Sequence, residues 1–168
     1  NQGAGRILQI SSIGGRVGNA GVSIYQAAKF GLSGFSEVLA KEVADLGILV
    51  TSVEPGGFRT DWAGDSMTYA PKIDGYDLVD KRSDFFQSGD FIPTGDPEKA
   101  ARVMIDLVEH AEPPIHLVLG SEAIGMLKYE DARRTEEMEK WMVVSLSTDH
   151  DESTNFLDSE LGKSFTRK

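Results

Sequence analysis

Three short apolar runs, separated by segments with helical spacing, constrain this chain more than any other feature. Residues 6–11 are apolar and short, bounded by Gly3 and Gly5 on one side and by Ser12 to Gly15 on the other, as a buried strand would be. Residues 22–46 read as a helix. Ile24, Ala28, Leu32, Phe35, Leu39, Val43 and Leu46 recur at spacings of three or four and define one apolar face. Ala27, Gly31, Gly34 and Val38 define a second face of small residues, and Gly47 punctuates the end. Residues 48–53 form the second strand, stopped by Pro55 and two glycines. Residues 57–95 show no strong periodicity and read as a functional loop or lid with short helices of its own. Asp96, Pro97 and Glu98 open a helix: a capping Asp, Pro at the first helical position, then an acid near the positive end of the dipole. It runs to about residue 110, where Pro113 and Pro114 follow, and residues 115–119 form the third strand. Ser121 is expected to cap a last helix to about residue 145, with a polar, fraying tail from Ser147.

Strand, helix, strand, helix, strand with right-handed crossovers means parallel strands. The expected fold class is therefore α/β, a partial Rossmann-type doubly wound parallel sheet of about three strands with flanking helices. Three strands are few for such a sheet, because both faces and both edges need cover. The pattern reads as the second half of a larger fold. The domain reading is residues 1–146, with a substrate loop at 57–95, followed by a polar tail at 147–168.

Charge is unevenly placed. Residues 1–64 hold 5 basic and 5 acidic side chains and 12 of the 18 glycines, so the net charge of −10 belongs wholly to residues 65–168. The first third reads as tightly packed backbone around a site and the remainder as a solvated periphery. An acidic balance argues against general nucleic-acid binding. With no cysteine, thiol catalysis, a thiolate metal site and a disulfide scaffold are excluded, and a reducing cytoplasm is the expected location. No apolar run reaches the ~20 residues that a membrane span needs. His110, His116 and His150 lack metal-like spacing and read as non-catalytic, so no metal is expected. Trp141, Met138 and Met142 read as the packed side of the last helix.

In an open α/β sheet the chemistry sits at the carboxyl ends of the strands. Ser12 lies just past the first strand, and Pro55 and Gly56 lie just past the second. Tyr25 and Lys29 are four residues apart, so a helix places them on one face. Taken singly, each has a bland account: Ser12 as a turn residue, Lys29 as a solvated head, Pro55 and Gly56 as loop punctuation, Thr60 as a cap before Asp61. In this order, and on these elements, the combination favours function.

These residues carry a resemblance. Ile10 to Gly15, then Tyr25-Gln26-Ala27-Ala28-Lys29, then Pro55-Gly56-Gly57-Phe58-Arg59-Thr60 resemble the short-chain dehydrogenase/reductase family, closely over residues 3–64 and by topology over 96–145. The run from Val53 to Asp61 and the later Leu119-Gly120-Ser121 resemble the branch akin to 17β-hydroxysteroid and retinol dehydrogenases. The resemblance implies hydride transfer between NAD or NADP and an alcohol, ketone or aldehyde. Tyr25 would be general acid or base. Lys29 would favour its phenolate and hold the nicotinamide ribose, and Ser12 would polarise the substrate oxygen. Pro55, Gly56, Gly57, Phe58 and Thr60 would grip the carboxamide. Phe58, Trp62, Met67, Tyr69, Phe85, Phe86, Phe91 and Ile92 are candidates for an apolar substrate pocket, and the small-residue helix face for a homo-oligomer contact.

The glycine-rich phosphate loop of the family does not occur in residues 1–168, nor does its cofactor selector or its catalytic Asn. The chain is expected to be a fragment whose phosphate-binding half lies upstream of Asn1, inactive by itself. Two other classes stay open. One is a cofactor-binding or regulatory protein on the same fold. The other is a hydrolase using Ser12 with Lys29, which lacks the Gly-x-Ser-x-Gly elbow.

Overall fold

The computed structural model describes residues 3–64 and 66–166. It falls into two compact units, residues 1–128 and residues 129–168. The division lies inside the last long helix.

The first unit is built on a three-stranded parallel sheet in sequential order, β1 (Gly5–Ile10), β2 (Ile48–Pro55) and β3 (His116–Leu119). β1 and β2 run in register from Gly5 against Ile48 to Ile10 against Val53, and β2 meets β3 from Ser52 against His116 to Pro55 against Leu119. All three strands therefore finish at the same end of the sheet. β2 is the central strand and is buried from Val50 to Glu54, as a strand covered on both faces must be. Its polar members are answered locally: Thr51 Oγ1 donates to the Pro114 carbonyl at 2.7 Å, and the Ser52 hydroxyl donates to Glu54 at 3.0 Å.

Helix α1 (Ser23–Val43) crosses from β1 to β2, extended by a short 3-10 turn at Ala44–Leu46. Gly47 ends it at φ 72°, the left-handed geometry that glycine takes without strain. The sheet-facing side differs from the expected apolar face. Gln26, Ser33 and Ser36 are buried, while Ile24 is 85% exposed and Phe35 56%. The close approach of the segment after β1, Ser11 to Gly15, explains the difference. Ser11 and Ser33 share a hydroxyl hydrogen bond of 2.8 Å, and a Cβ at Gly15 would stand 2.5 Å from Ser33 Oγ. A Leu or Phe has no room at such a crossing. The apolar residues Ile24, Phe35 and Val38 thus join Ala27, Gly31 and Gly34 on the exposed side.

The long connection contains a 3-10 turn at Asp61–Ala63 and a helix, α2 (Asp77–Gln87). α3 (Pro97–Glu109) starts as its sequence dictates, with Asp96 Oδ1 accepting from the backbone N–H groups of Glu98 and Lys99. α4 (Ser121–Leu146) follows β3 directly. Ser121 is its first helical residue, and Gly120 at φ 101° makes the turn before it. Ile13, Val17 and Ala123 form a small core with Val118, Met126 and Leu127 against it.

In the second unit, the later part of α4 carries Arg133, which pairs with Glu130 at 2.7 Å and Glu137 at 3.2 Å. Met138, Trp141 and Met142 are exposed, contrary to their expected packing. The tail is not simply frayed. A 3-10 turn at Phe156–Asp158 and helix α5 (Glu160–Thr166) bring the rings of Phe156 and Phe165 to 6.2 Å. Among the described residues, no helix is long and apolar enough to cross a membrane.

Candidate active site

A cavity of about 560 Å³ opens at the carboxyl ends of the strands of the first unit, where parallel α/β sheets place ligands. Ser12, Tyr25, Pro55, Gly56, Gly57, Phe58 and Thr60 all line it. Residues from two loops and one helix, remote in sequence, therefore meet as the strand order requires.

Ser12 caps the 3-10 turn Ile13–Gly15, its Oγ accepting from the Gly14 N–H at 3.0 Å. A Cβ on Gly14 would stand 3.3 Å from Tyr25 Cε1 and 3.4 Å from Ser12 Oγ, so Gly14 is the spacer that lets the two side chains share one wall. Gln26, buried beside Tyr25, fixes the loop that follows: its Nε2 donates to the Val17 carbonyl at 2.9 Å and its Oε1 accepts from Asn19 N at 2.7 Å. The hydroxyl's bond to Gly14 is the bland role of Ser12, and it coexists with its place on the cavity wall.

Lys29 does not line the cavity. Its Nζ donates to the Ile10 carbonyl at 2.9 Å and stands 5.9 Å from the centroid of the Tyr25 ring. The cation is therefore tied to the end of β1 and held behind Tyr25.

Past β2, the chain pairs with the lid segment. Phe58 bridges Gly95, Gly95 N donates to the Gly57 carbonyl at 2.9 Å, and Arg59 Nε donates to the Pro93 carbonyl at 3.1 Å. The two glycines serve packing here. A Cβ on Gly56 would lie 3.0 Å from that of Ala123, and one on Gly57 3.0 Å from Phe91 and 3.1 Å from Glu122. Thr60 caps the turn Asp61–Ala63, its Oγ1 accepting from Trp62 N at 3.4 Å. Of the expected apolar lining, Phe58, Trp62, Phe86 and Phe91 reach the cavity, whereas Met67, Tyr69, Phe85 and Ile92 do not. Ile92 is exposed.

One group escaped the sequence reading. Glu54, next to Pro55, has no solvent exposure. One oxygen takes a hydrogen bond from Arg16 Nη1 at 3.2 Å, and the other lies 2.7 Å from His116 Nδ1. His116 Nε2 in turn stands 3.6 Å from Glu37, a carboxylate held below its ordinary range chiefly by a hydrogen bond from Lys41, then by the charges of Lys41 and His116. The signal was a charged residue inside a strand read as buried.

Comparison with known proteins finds similarity to one family. Residues 1–69 match the model of the short chain dehydrogenase family. The chain is 38% identical over 148 residues to Oxidoreductase BOA17 of Botryotinia fuckeliana, spanning 88% of this chain and 54% of that protein. It is 41% identical over 108 residues to Carbonyl reductase family member 4 of Xenopus laevis, spanning 64% of this chain and 40% of that protein. A short-chain dehydrogenase from Streptomyces avermitilis superposes with a TM-score of 0.78 at 36% identity, over 89% of this chain and 54% of that one. The chain is thus similar in sequence and fold to short-chain dehydrogenases. It spans about half the length of the curated relatives it matches.

Proposed function

We propose that the protein is an oxidoreductase that moves hydride between NAD or NADP and an alcohol or carbonyl carbon, with Tyr25 as the acid/base group. The observation that carries this reading is the convergence of Ser12, Tyr25 and the Pro55 to Thr60 segment on one cavity, with Lys29 fixed behind the phenol. The relationship to short-chain dehydrogenases supports it.

The residues present fit the nicotinamide end of such a cofactor. The backbone beside Pro55 and Gly56 and the Thr60 hydroxyl would hold its carboxamide, and Lys29 its ribose. Bound there, the cofactor supplies or accepts the hydride. The chain's own residues manage the proton. A carbonyl receiving hydride becomes an alkoxide unless a proton arrives, and an alcohol being oxidised must lose one. Tyr25 Oη is the group on the cavity wall suited to that exchange, with the Lys29 Nζ 5.9 Å from its ring centroid. Ser12 Oγ would hold the substrate oxygen beside it.

The finer reading places the protein near the 17β-hydroxysteroid and retinol dehydrogenases, on the strength of residues 53–61. An apolar substrate suits the Trp62, Phe86 and Phe91 wall. A cysteine-free chain suits a cytoplasmic setting. The exposed Ile24, Ala27, Gly31, Gly34, Phe35 and Val38 on α1 suit a helix contact in a homo-oligomer. The test is cofactor absorbance on a panel of alcohols and ketones, run beside an esterase panel. Turnover on the first and none on the second is expected; the reverse would turn the reading towards a Ser12 hydrolase.

A further inference from the structure

Among the described residues that line the cavity, two are formally charged, Arg82 and Glu122. Glu122 stands beside Gly57 and α4. Arg82 comes from α2, and its state is unusual. Its Nε is shut off from solvent with no hydrogen-bond partner, and no described carboxylate pairs with its guanidinium. A nearby acid on its own helix, Asp84, is taken by Lys72 at 2.7 Å. What Arg82 does touch is Phe86, its guanidinium carbon 5.4 Å from the ring centroid. Such a contact answers none of the guanidinium N–H donors, and Nε keeps no partner. A guanidinium whose Nε is buried without a partner, and which no described carboxylate pairs, is costly at that atom, and a ligand anion is a natural remedy.

Its position relative to Tyr25 is equally specific. Tyr25 and Trp62 rings are 5.8 Å apart, Trp62 and Phe86 5.6 Å, and Arg82 lies on Phe86. An aromatic wall therefore runs from the phenol to the guanidinium. We propose that Arg82 determines substrate specificity by binding a carboxylate at the far end of an apolar chain whose carbinol or carbonyl carbon lies at Tyr25. The substrate class is thus a hydroxy or oxo acid with its two polar ends separated by hydrocarbon. A carboxylate matches the planar two-donor fork of one guanidinium. A phosphate dianion would call for a second cation, and among the described residues no other lines the cavity.

That this ligand is the substrate rests on the proposed function, so binding and turnover are measured separately, on the protein at its full natural length. By calorimetry, decanoate should bind the wild type more tightly than 1-decanol. R82M should weaken decanoate at least tenfold, R82Q similarly, and R82K less, with decanol held within twofold in every variant. Circular dichroism confirms that each variant is folded. Equal loss of decanoate and decanol in R82M, or no loss of either, would overturn the proposal and reduce Arg82 to support for the wall. Tighter binding of decyl phosphate than decanoate by tenfold would contradict the carboxylate. In turnover with NAD or NADP, 10-hydroxydecanoate should show a KM at least tenfold higher in R82M with kcat within threefold, and 1-decanol no change. Oxidation of decanol with no Arg82-dependent binding of decanoate would sink the anion site and leave the function standing. Arg82-dependent binding with no oxidation of either alcohol would do the opposite.

Discussion

Glu54 and His116, separated by 62 residues of chain, meet at 2.7 Å beneath the cavity, on neighbouring strands. Because the other Glu54 oxygen holds Arg16 at 3.2 Å, the carboxylate ties the end of β2 to the turn that begins at Ser12. The strand that presents Pro55 and the loop that presents Ser12 are thereby fixed to one buried anion.

Removing both partners of this pair should cost less than the two single removals summed. A buried pair that loses one member costs about 3–5 kcal/mol, because the other charge is stranded. The Arg16 side chain keeps 27% of its exposure, so Arg16→Met is expected to cost about 2 kcal/mol or more, below that range. The double replacement with Glu54→Met should cost less than the two single changes together, with a coupling of about 1–3 kcal/mol in urea unfolding. Additivity within about 0.5 kcal/mol would show that the pair is not coupled.

Gly15 is a packing requirement. A Cβ there would meet Ser33 Oγ at 2.5 Å, the Lys29 carbonyl at 2.7 Å and Ser11 Oγ at 2.8 Å. Backbone cannot yield as a side-chain tip does, so Gly15→Ala should destabilise by about 1–3 kcal/mol. Gly125→Ala, on α4 with nothing within 4 Å, should instead stabilise by up to about 1 kcal/mol. Equal thermal midpoints for the two variants would refute the packing account.

Acid should weaken the fold partly through Glu37. Lys41 and His116 hold its carboxyl below the ordinary 4.5, so the ionised form is favoured in the folded state. That stabilisation is complete above 4.5 and disappears as pH falls through the lowered folded value. The melting-point difference between wild type and Glu37→Gln should therefore narrow as pH falls below 4.5. A difference constant with pH would mean that its charge contributes nothing.

The motif-bearing residues were legible because local rules write them. Parallel strands and a four-residue helical spacing bring Ser12, Tyr25 and Pro55 together whatever the details of packing. Asp96 declares its helix for the same reason. Other features depend on distant partners. His116 looks like a bystander until β3 sets it beside Glu54, and Arg82 looks like one more solvated charge until α2 turns it inward. The inversion of α1 arose because periodicity finds an apolar stripe without saying what it faces. Its contact with the segment after β1 is so close that hydroxyls and a glycine occupy it.

Lys29 should serve two ends at once. Its hydrogen bond to the Ile10 carbonyl at 2.9 Å fixes the cation behind Tyr25. Lys29→Ala is expected to weaken cofactor binding and turnover together, each by tenfold or more, in fluorescence titration and steady-state assay. Loss of turnover with unchanged cofactor affinity would remove the ribose from its role.

The central claim is that Tyr25 exchanges the proton. Tyr25→Phe deletes the hydroxyl while keeping the ring against Trp62, at 5.8 Å in the wild type. In the protein at its full natural length, single-turnover hydride transfer should fall below a tenth of the wild-type rate, with NAD or NADP affinity largely kept. A variant that retains more than a tenth of that rate would show that the proton travels through another group.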